Sequence, residues 1–307
     1  MRRIGSKSGA ALAAPFLLSA SGFGFVIFFA MFFGMLWGSA ASASDQLVRG
    51  AVLFAAGGCG NCHTDTKKKG KPLVGGHALK TPFGTFYAPN ISPDRTHGIG
   101  SWSDEDFVRA MREGKAPDGS HYFPVFPYTA YTMMTDGDLK ALKAYIFSQP
   151  PVSQPNRPHD VGFPYNLRFA QFFWKLLYFD KGPYRNDPSK SAEWNRGAYL
   201  SNAVAHCAEC HTPRTALGGL DRDRWMAGTA KGEGPEGLAI PNITPHPEKG
   251  IGKWSLEQLV EYLNSGELPD GDYAGSLMAD VIDKGTDQLS GSDRRAIAVY
   301  FRSLKPY

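Results

Sequence analysis

The only four cysteines of this 307-residue chain fall in two groups, "CGNCH" at Cys59–His63 and "CAECH" at Cys207–His211. The fold must serve two identical Cys-x-x-Cys-His spacings. Disulfides need no trailing histidine, and a redox dithiol needs only one pair. Tetrahedral zinc could take both pairs but would leave His63 and His211 unexplained. Two thiols and a following imidazole are the attachment pattern of c-type haem. Cys59 with Cys62, and Cys207 with Cys210, would form thioethers to the two vinyl groups. The next residue's imidazole then falls under the iron as proximal ligand. The reading is two covalently attached haem c, with disulfide and zinc as the alternatives.

The N-terminus reads as a targeting segment. "MRRIGSK" is basic, an apolar Phe-rich stretch runs over Ala10–Trp37, and Ala41-Ser42-Ala43 fits a small-x-small cleavage site. The apolar stretch exceeds the usual signal-peptide core of ~7–15 residues, so residues 1–43 are a signal peptide or a retained N-terminal anchor. Both place the remainder in the periplasm, in the second case tied to the inner membrane. Lys and Arg total 33 against 29 Asp and Glu, and Arg2, Arg3 and Lys7 belong to the acid-free leader. The rest is nearly neutral, which excludes a basic nucleic-acid footprint.

The chain repeats itself. "PNISPDRTHGIGSWSDEDFVRAMREG" from Pro89 matches "PNITPHPEKGIGKWSLEQLVEYLNSG" from Pro241, through Asn90/Asn242, Gly98/Gly250 and Trp102/Trp254. "TDGDLKALKAYIFS" from Thr135 likewise matches "SGSDRRAIAVYFRS" from Ser290. Each unit reads as helical. "SDQLVRGAVLFAAGG" and "SAEWNRGAYLSNAVAHC" carry helix-spaced apolar residues into each motif. Ser103 with Asp106, and Ser255 with Gln258, read as capping boxes, with Gly114 and Gly266 as stops. No sustained strand alternation occurs. The expected fold is all-α: two tandem class I cytochrome c domains joined by a Pro-rich, aromatic-rich linker. The expected boundaries are 44–149 for domain 1, 150–189 for the linker and 190–307 for domain 2.

A closed iron site needs a distal ligand, Met or His. In the second unit Met278 of "SLMADVIDKG" is the candidate, Met226 lying close to the haem motif. In the first, Met134 is favoured over its neighbour Met133, both just ahead of the closing helix; Met111 falls inside a helical pattern and reads as core. His77, His97, His121, His159, His206 and His246 read as surface or loop histidines.

"GCGNCHT", "FGTFYAPNISPD", "GIGSWSDEDF", "FPVFPYTAYTMMTDGDLKALKAYIFSQPPV", "WNRGAYL", "HCAECHTPR" and "GIGKWS" carry a resemblance. The chain resembles the cytochrome c subunits of membrane-bound, periplasm-facing alcohol, gluconate, fructose and aldehyde dehydrogenases. The resemblance implies Met134 and Met278 as distal ligands. The family usually has three Cys-x-x-Cys-His motifs; this chain has two, as a dihaem variant. It also implies a periplasmic or membrane-bound dehydrogenase as electron donor. A downstream cytochrome, oxidase or quinone of the respiratory chain would be the acceptor.

His/Met coordination leaves no open iron position, so such haems shuttle single electrons. Arg214 is a candidate propionate partner or a plain surface arginine. Trp102 and Trp254 are candidate propionate donors through their indole N–H groups, or aromatic core. The run "FAQFFWKLLYF" is either a brace across both units or an exposed patch for a dehydrogenase or a membrane surface. The expected role is a non-catalytic electron-transfer subunit. The alternative is a dihaem enzyme of the cytochrome c peroxidase or thiosulfate dehydrogenase type, which needs a displaceable or unusual distal ligand.

Overall fold

The computed structural model describes residues 43–307. A first helix, α1, reaches residue 56. Glycine sets how the opening and closing helices of each half cross. Gly50 on α1 sits so close to the closing helix α5 (Asp136–Phe147) that an added Cβ would stand 2.1 Å from Ala141 O. The same crossing recurs where α7 (Ala192–Tyr199) meets α11 (Gly291–Arg302), with a Cβ on Gly197 1.9 Å from Ala296 O. An arginine precedes each glycine and grips the partner helix. Arg49 reaches Asp138 at 2.5 Å, and Arg196 takes both oxygens of Asp293 at 2.8 and 2.9 Å. The tripeptide Arg-Gly-Ala therefore encodes one helix crossing twice.

Between those helices the first half has α2 (Cys59–His63), α3 (Asp104–Glu113) and α4 (Tyr128–Tyr131). The linker contributes α6 (Ala170–Tyr178). In the second half α7 runs on as a wider π-type turn over Leu200–Val204. It is followed by α8 (Ala208–His211), α9 (Leu256–Ser265) and α10 (Ser276–Asp283). Both expected capping boxes form, Ser103 with Asp106 at α3 and Ser255 with Gln258 at α9. Gly114 and Gly266 end those helices in the left-handed region, at φ 58° and 81°.

The chain from Gln46 to Tyr307 clusters as one unit. A single run of buried side chains joins Leu139, Leu142 and Met134 of the first half to Leu200, Val204 and Ile297 of the second. The Tyr199 hydroxyl crosses the same boundary to donate to Asp138, and accepts from the Thr135 backbone N–H at 3.2 Å.

The all-α expectation is corrected. β1 (Ala78–Thr81) and β2 (Gly84–Tyr87) form an antiparallel hairpin with Ala78 opposite Tyr87 and Thr81 opposite Gly84. β3 (Asp160–Val161), from the linker, pairs antiparallel with β2 at Thr85 and Gly84. The strands are too short to show a two-residue alternation in sequence, and β3 finds its partner only through the fold. The turn is tied locally: Thr81 Oγ1 donates to Gly84 O at 2.9 Å and accepts from Phe83 N at 3.1 Å. The segment expected to be a linker, residues 150–189, thus supplies a strand to the first half.

α6 braces and exposes at once. Lys175 Nζ donates to the Glu113 and Gly114 carbonyls at 2.5 and 2.9 Å, while the Trp174 indole N–H donates to Leu217 O at 2.9 Å. Its apolar stripe of Phe169, Phe172, Phe173, Leu176 and Leu177 is 50–70% exposed. Among the described residues no helix is long and apolar enough to cross a membrane. The expected targeting segment, Ala43 apart, lies outside the described residues.

Candidate functional site

Each motif is entered through a left-handed residue. Gly58 (φ 62°) precedes Cys59, and His206 (φ 40°) precedes Cys207. Glycine takes this conformation freely, whereas for histidine it costs roughly 1–2 kcal/mol. The short helices α2 and α8 then carry the thiols and the imidazole.

The two histidines are held identically. His63 Nδ1 donates to Pro89 O at 2.8 Å, and His211 Nδ1 donates to Pro241 O at 2.8 Å. A carbonyl only accepts, so Nδ1 carries the proton and each Nε2 keeps its lone pair for a metal. Burial lowers both pKa values below the usual 6.5, which keeps the rings neutral at pH 7. The histidine carbonyls accept from Gly75 N and Gly228 N, each at 2.8 Å. Those glycines have φ 77° and 78°. The proline carbonyls are aimed by the next residue: Asn90 Oδ1 accepts from Ser92 N at 2.9 Å, and Asn242 Oδ1 from Thr244 N at 2.7 Å.

All four cysteines are free thiols. Burial raises each of them, Cys59 to about 12 and Cys210 to about 11. Among the described residues no cluster of three or more His, Cys, Asp or Glu is placed to cage a metal ion.

Cys59, Cys62 and His63 open onto a cavity of about 2410 Å³, into which Cys210 also faces from the second motif. Small-molecule pockets run ~300–1,000 Å³. Trp102 and Arg214 line it too. Arg214 holds Glu209 Oε2 at 2.6 Å and Glu209 O at 2.7 Å. Cys207, His211 and Trp254 stand outside this lining. The two tryptophans do share one support: the Trp102 carbonyl accepts from Lys143 Nζ at 3.1 Å, and the Trp254 carbonyl from Arg302 Nη1 at 3.3 Å. Met134 is fully buried outside the lining, and its carbonyl accepts from Arg112 at 2.8 Å. Met111, on α3, does line the cavity. On α10 Leu277 and Val281 face it, while Met278 is partly buried and outside it.

The cytochrome c family model matches residues 47–150. A dihaem c-type cytochrome of Cereibacter sphaeroides is 45% identical over 86% of this chain and 88% of its own length. The fructose dehydrogenase cytochrome subunit of Gluconobacter japonicus is 38% identical over 86% of this chain. The gluconate 2-dehydrogenase cytochrome c subunit of Pantoea cypripedii is 35% identical over 85% of it. The chain spans only 54% and 60% of those two relatives.

The chain belongs to this family of c-type cytochromes. Its members carry covalent haem and transfer electrons. The donor set of this cytochrome fits the group on three counts. The thiols are neutral and half-buried at a two-residue separation, the histidine lone pairs are freed by their proline carbonyls, and the first motif opens onto a large, largely apolar cavity. Sequence reasoning missed Pro89, Pro241, Gly75 and Gly228. The signal was available, because "PNI" stands at the head of both repeat copies. It also missed Tyr131 and Glu209, which line the cavity where the two halves meet.

Proposed function

We propose that this cytochrome binds two haem c groups, through Cys59, Cys62 and His63 and through Cys207, Cys210 and His211. In this reading it relays electrons on the periplasmic side, from a dehydrogenase partner toward the respiratory chain. The observation that carries it is the repeated proximal support, a histidine Nδ1 bonded at 2.8 Å to a prolyl carbonyl beside each Cys-x-x-Cys pair. The relatives' names supply the class of partner. Bound haem supplies a one-electron iron couple. The protein's own residues fix the imidazole tautomer, present the thiols, and place Arg214 and Trp102 where propionates can be met.

Met278 and Met134 are the proposed distal ligands. A second assignment is favoured in the first half by one observation, that Met111 lines the cavity and Met134 does not. Replacing Met278, Met134 and Met111 singly by Ala separates these, since only loss of a true ligand admits carbon monoxide.

The exported protein, denatured and extracted with acidified organic solvent, should retain the mass of two haems. Replacing Cys59 and Cys62 by Ala should leave one, as should replacing Cys207 and Cys210. Colour that washes out, or a wild-type protein with a single haem, overturns the reading.

A further inference from the structure

The two motifs meet through a small buried set of groups. The Gly57 carbonyl, two residues ahead of Cys59, accepts from the Tyr131 hydroxyl at 2.8 Å. His206 Nε2, one residue ahead of Cys207, reaches the same oxygen at 3.2 Å. The rings of Tyr131 and His206 stand edge to face, with centroids 5.5 Å apart. A second strut runs beside them, from Thr129 on α4 to Glu209 at 2.5 Å, inside the second motif. His206 holds its place at φ 40°, where a histidine is strained. Strain of this kind persists only where surrounding contacts impose it.

We infer that Tyr131 and His206, closing on the Gly57 carbonyl, are positioning residues that lock the two haem-attachment motifs at one separation and angle, and so set the electronic coupling between them. This rests on the two-haem reading. The electron that leaves one site enters the other, and neither residue is oxidised or loses a proton. One carbonyl with two lone pairs takes both donors, so the brace leaves no unpaired group at that point. Removing either donor loosens the relation between the motifs while each motif keeps its own histidine–proline support.

Circular dichroism of the holoprotein in its main haem absorption band tests the brace. Two porphyrins held close at a fixed angle give a bisignate signal. The wild type should show it. His206→Gly removes the imidazole and also relieves the left-handed strain, so the fold should survive while the bisignate signal is lost. Tyr131→Phe keeps the ring, removes only the hydroxyl, and should weaken the signal. Thermal unfolding and haem mass are read on the same samples. Both variants folded, with two haems and an unchanged signal, would overturn the brace. So would a wild-type protein that carries two haems and shows no bisignate signal. A wild-type mass with fewer than two haems fails the functional reading instead, and the brace with it.

Discussion

Tyr199 donates its hydroxyl to the carboxylate of Asp138, an acid 1% exposed whose other side is held by Arg49. The bond joins the opening helix of the second half to the closing helix of the first. Tyr199→Phe should lower stability by about 1.5–3 kcal/mol, the range for a hydrogen bond to a charged group. The shift in unfolding temperature, measured by calorimetry, checks it. Asp138→Asn should also destabilise, and the two losses should not add, because the residues share one network.

The glycines at the helix crossings allow a sharper test. A Cβ at Gly197 would stand 1.9 Å from Ala296 O, and one at Gly50 would stand 2.1 Å from Ala141 O. Neither neighbour is a flexible side chain. Gly197→Ala and Gly50→Ala should each cost about 1–3 kcal/mol or more from overpacking. Gly137→Ala serves as the control, a glycine of α5 with no left-handed φ and nothing nearer to its added Cβ than Thr135 Oγ1 at 4.0 Å. Chemical denaturation should rank the control as the mildest.

Lys175 predicts a pH dependence. Burial first, and then the neighbouring Lys115, pull its ammonium down to about 8; Glu113 opposes them. The folded value lies below the unfolded one. Between about pH 8 and 10.5 the unfolded chain therefore binds a proton that the folded chain does not, and this group makes stability rise with pH. Lys175→Met should flatten that part of the stability profile. It also strands the Glu113 and Gly114 carbonyls, so the slope and not the absolute stability is the readout. An identical slope in both proteins would refute the assignment.

The exposed stripe of α6 should be thermodynamically cheap to change. Leu176 is 70% exposed and Phe169 65%. Leu176→Ser and Phe169→Ser should each move stability by about 0.5 kcal/mol or less. Both should reduce self-association in light scattering, because contiguous exposed apolar surface drives it. A large loss of stability would mean that this face is covered.

The parts legible in sequence were those written in local code. Capping boxes at Ser103 and Ser255, stops at Gly114 and Gly266, and both Cys-x-x-Cys-His turns lie where spacing put them. The sheet was not legible, because "ALKT" and "GTFY" have no length over which alternation can show. The orientation of α6 was hidden for another reason. Its apolar stripe splits, with Phe169, Phe172 and Leu176 exposed and Phe173 and Leu177 on the cavity wall, while Lys175 and Trp174 turn to carbonyl partners, which a single amphipathic face does not foretell. At the site, the cysteines and histidines were plain. The carbonyls of Pro89 and Pro241 were not, since backbone groups leave no mark on residue type beyond the shared Pro-Asn. Placing Met111 rather than Met134 on the cavity wall required the fold.

The chain just past residue 150 turns back over the first half. Asn90 sends its amide to Val152 O at 2.8 Å and Gln154 O at 3.1 Å, Tyr87 N donates to His159 Nδ1 at 3.2 Å, and β3 covers the outer edge of β2. The stretch matched by the family model stops at residue 150. A polypeptide trimmed to that limit would forfeit those bonds and leave a bare strand margin. The end of that match is therefore a poor place for scissors, and anyone transplanting the first half into another scaffold must carry it through Val161.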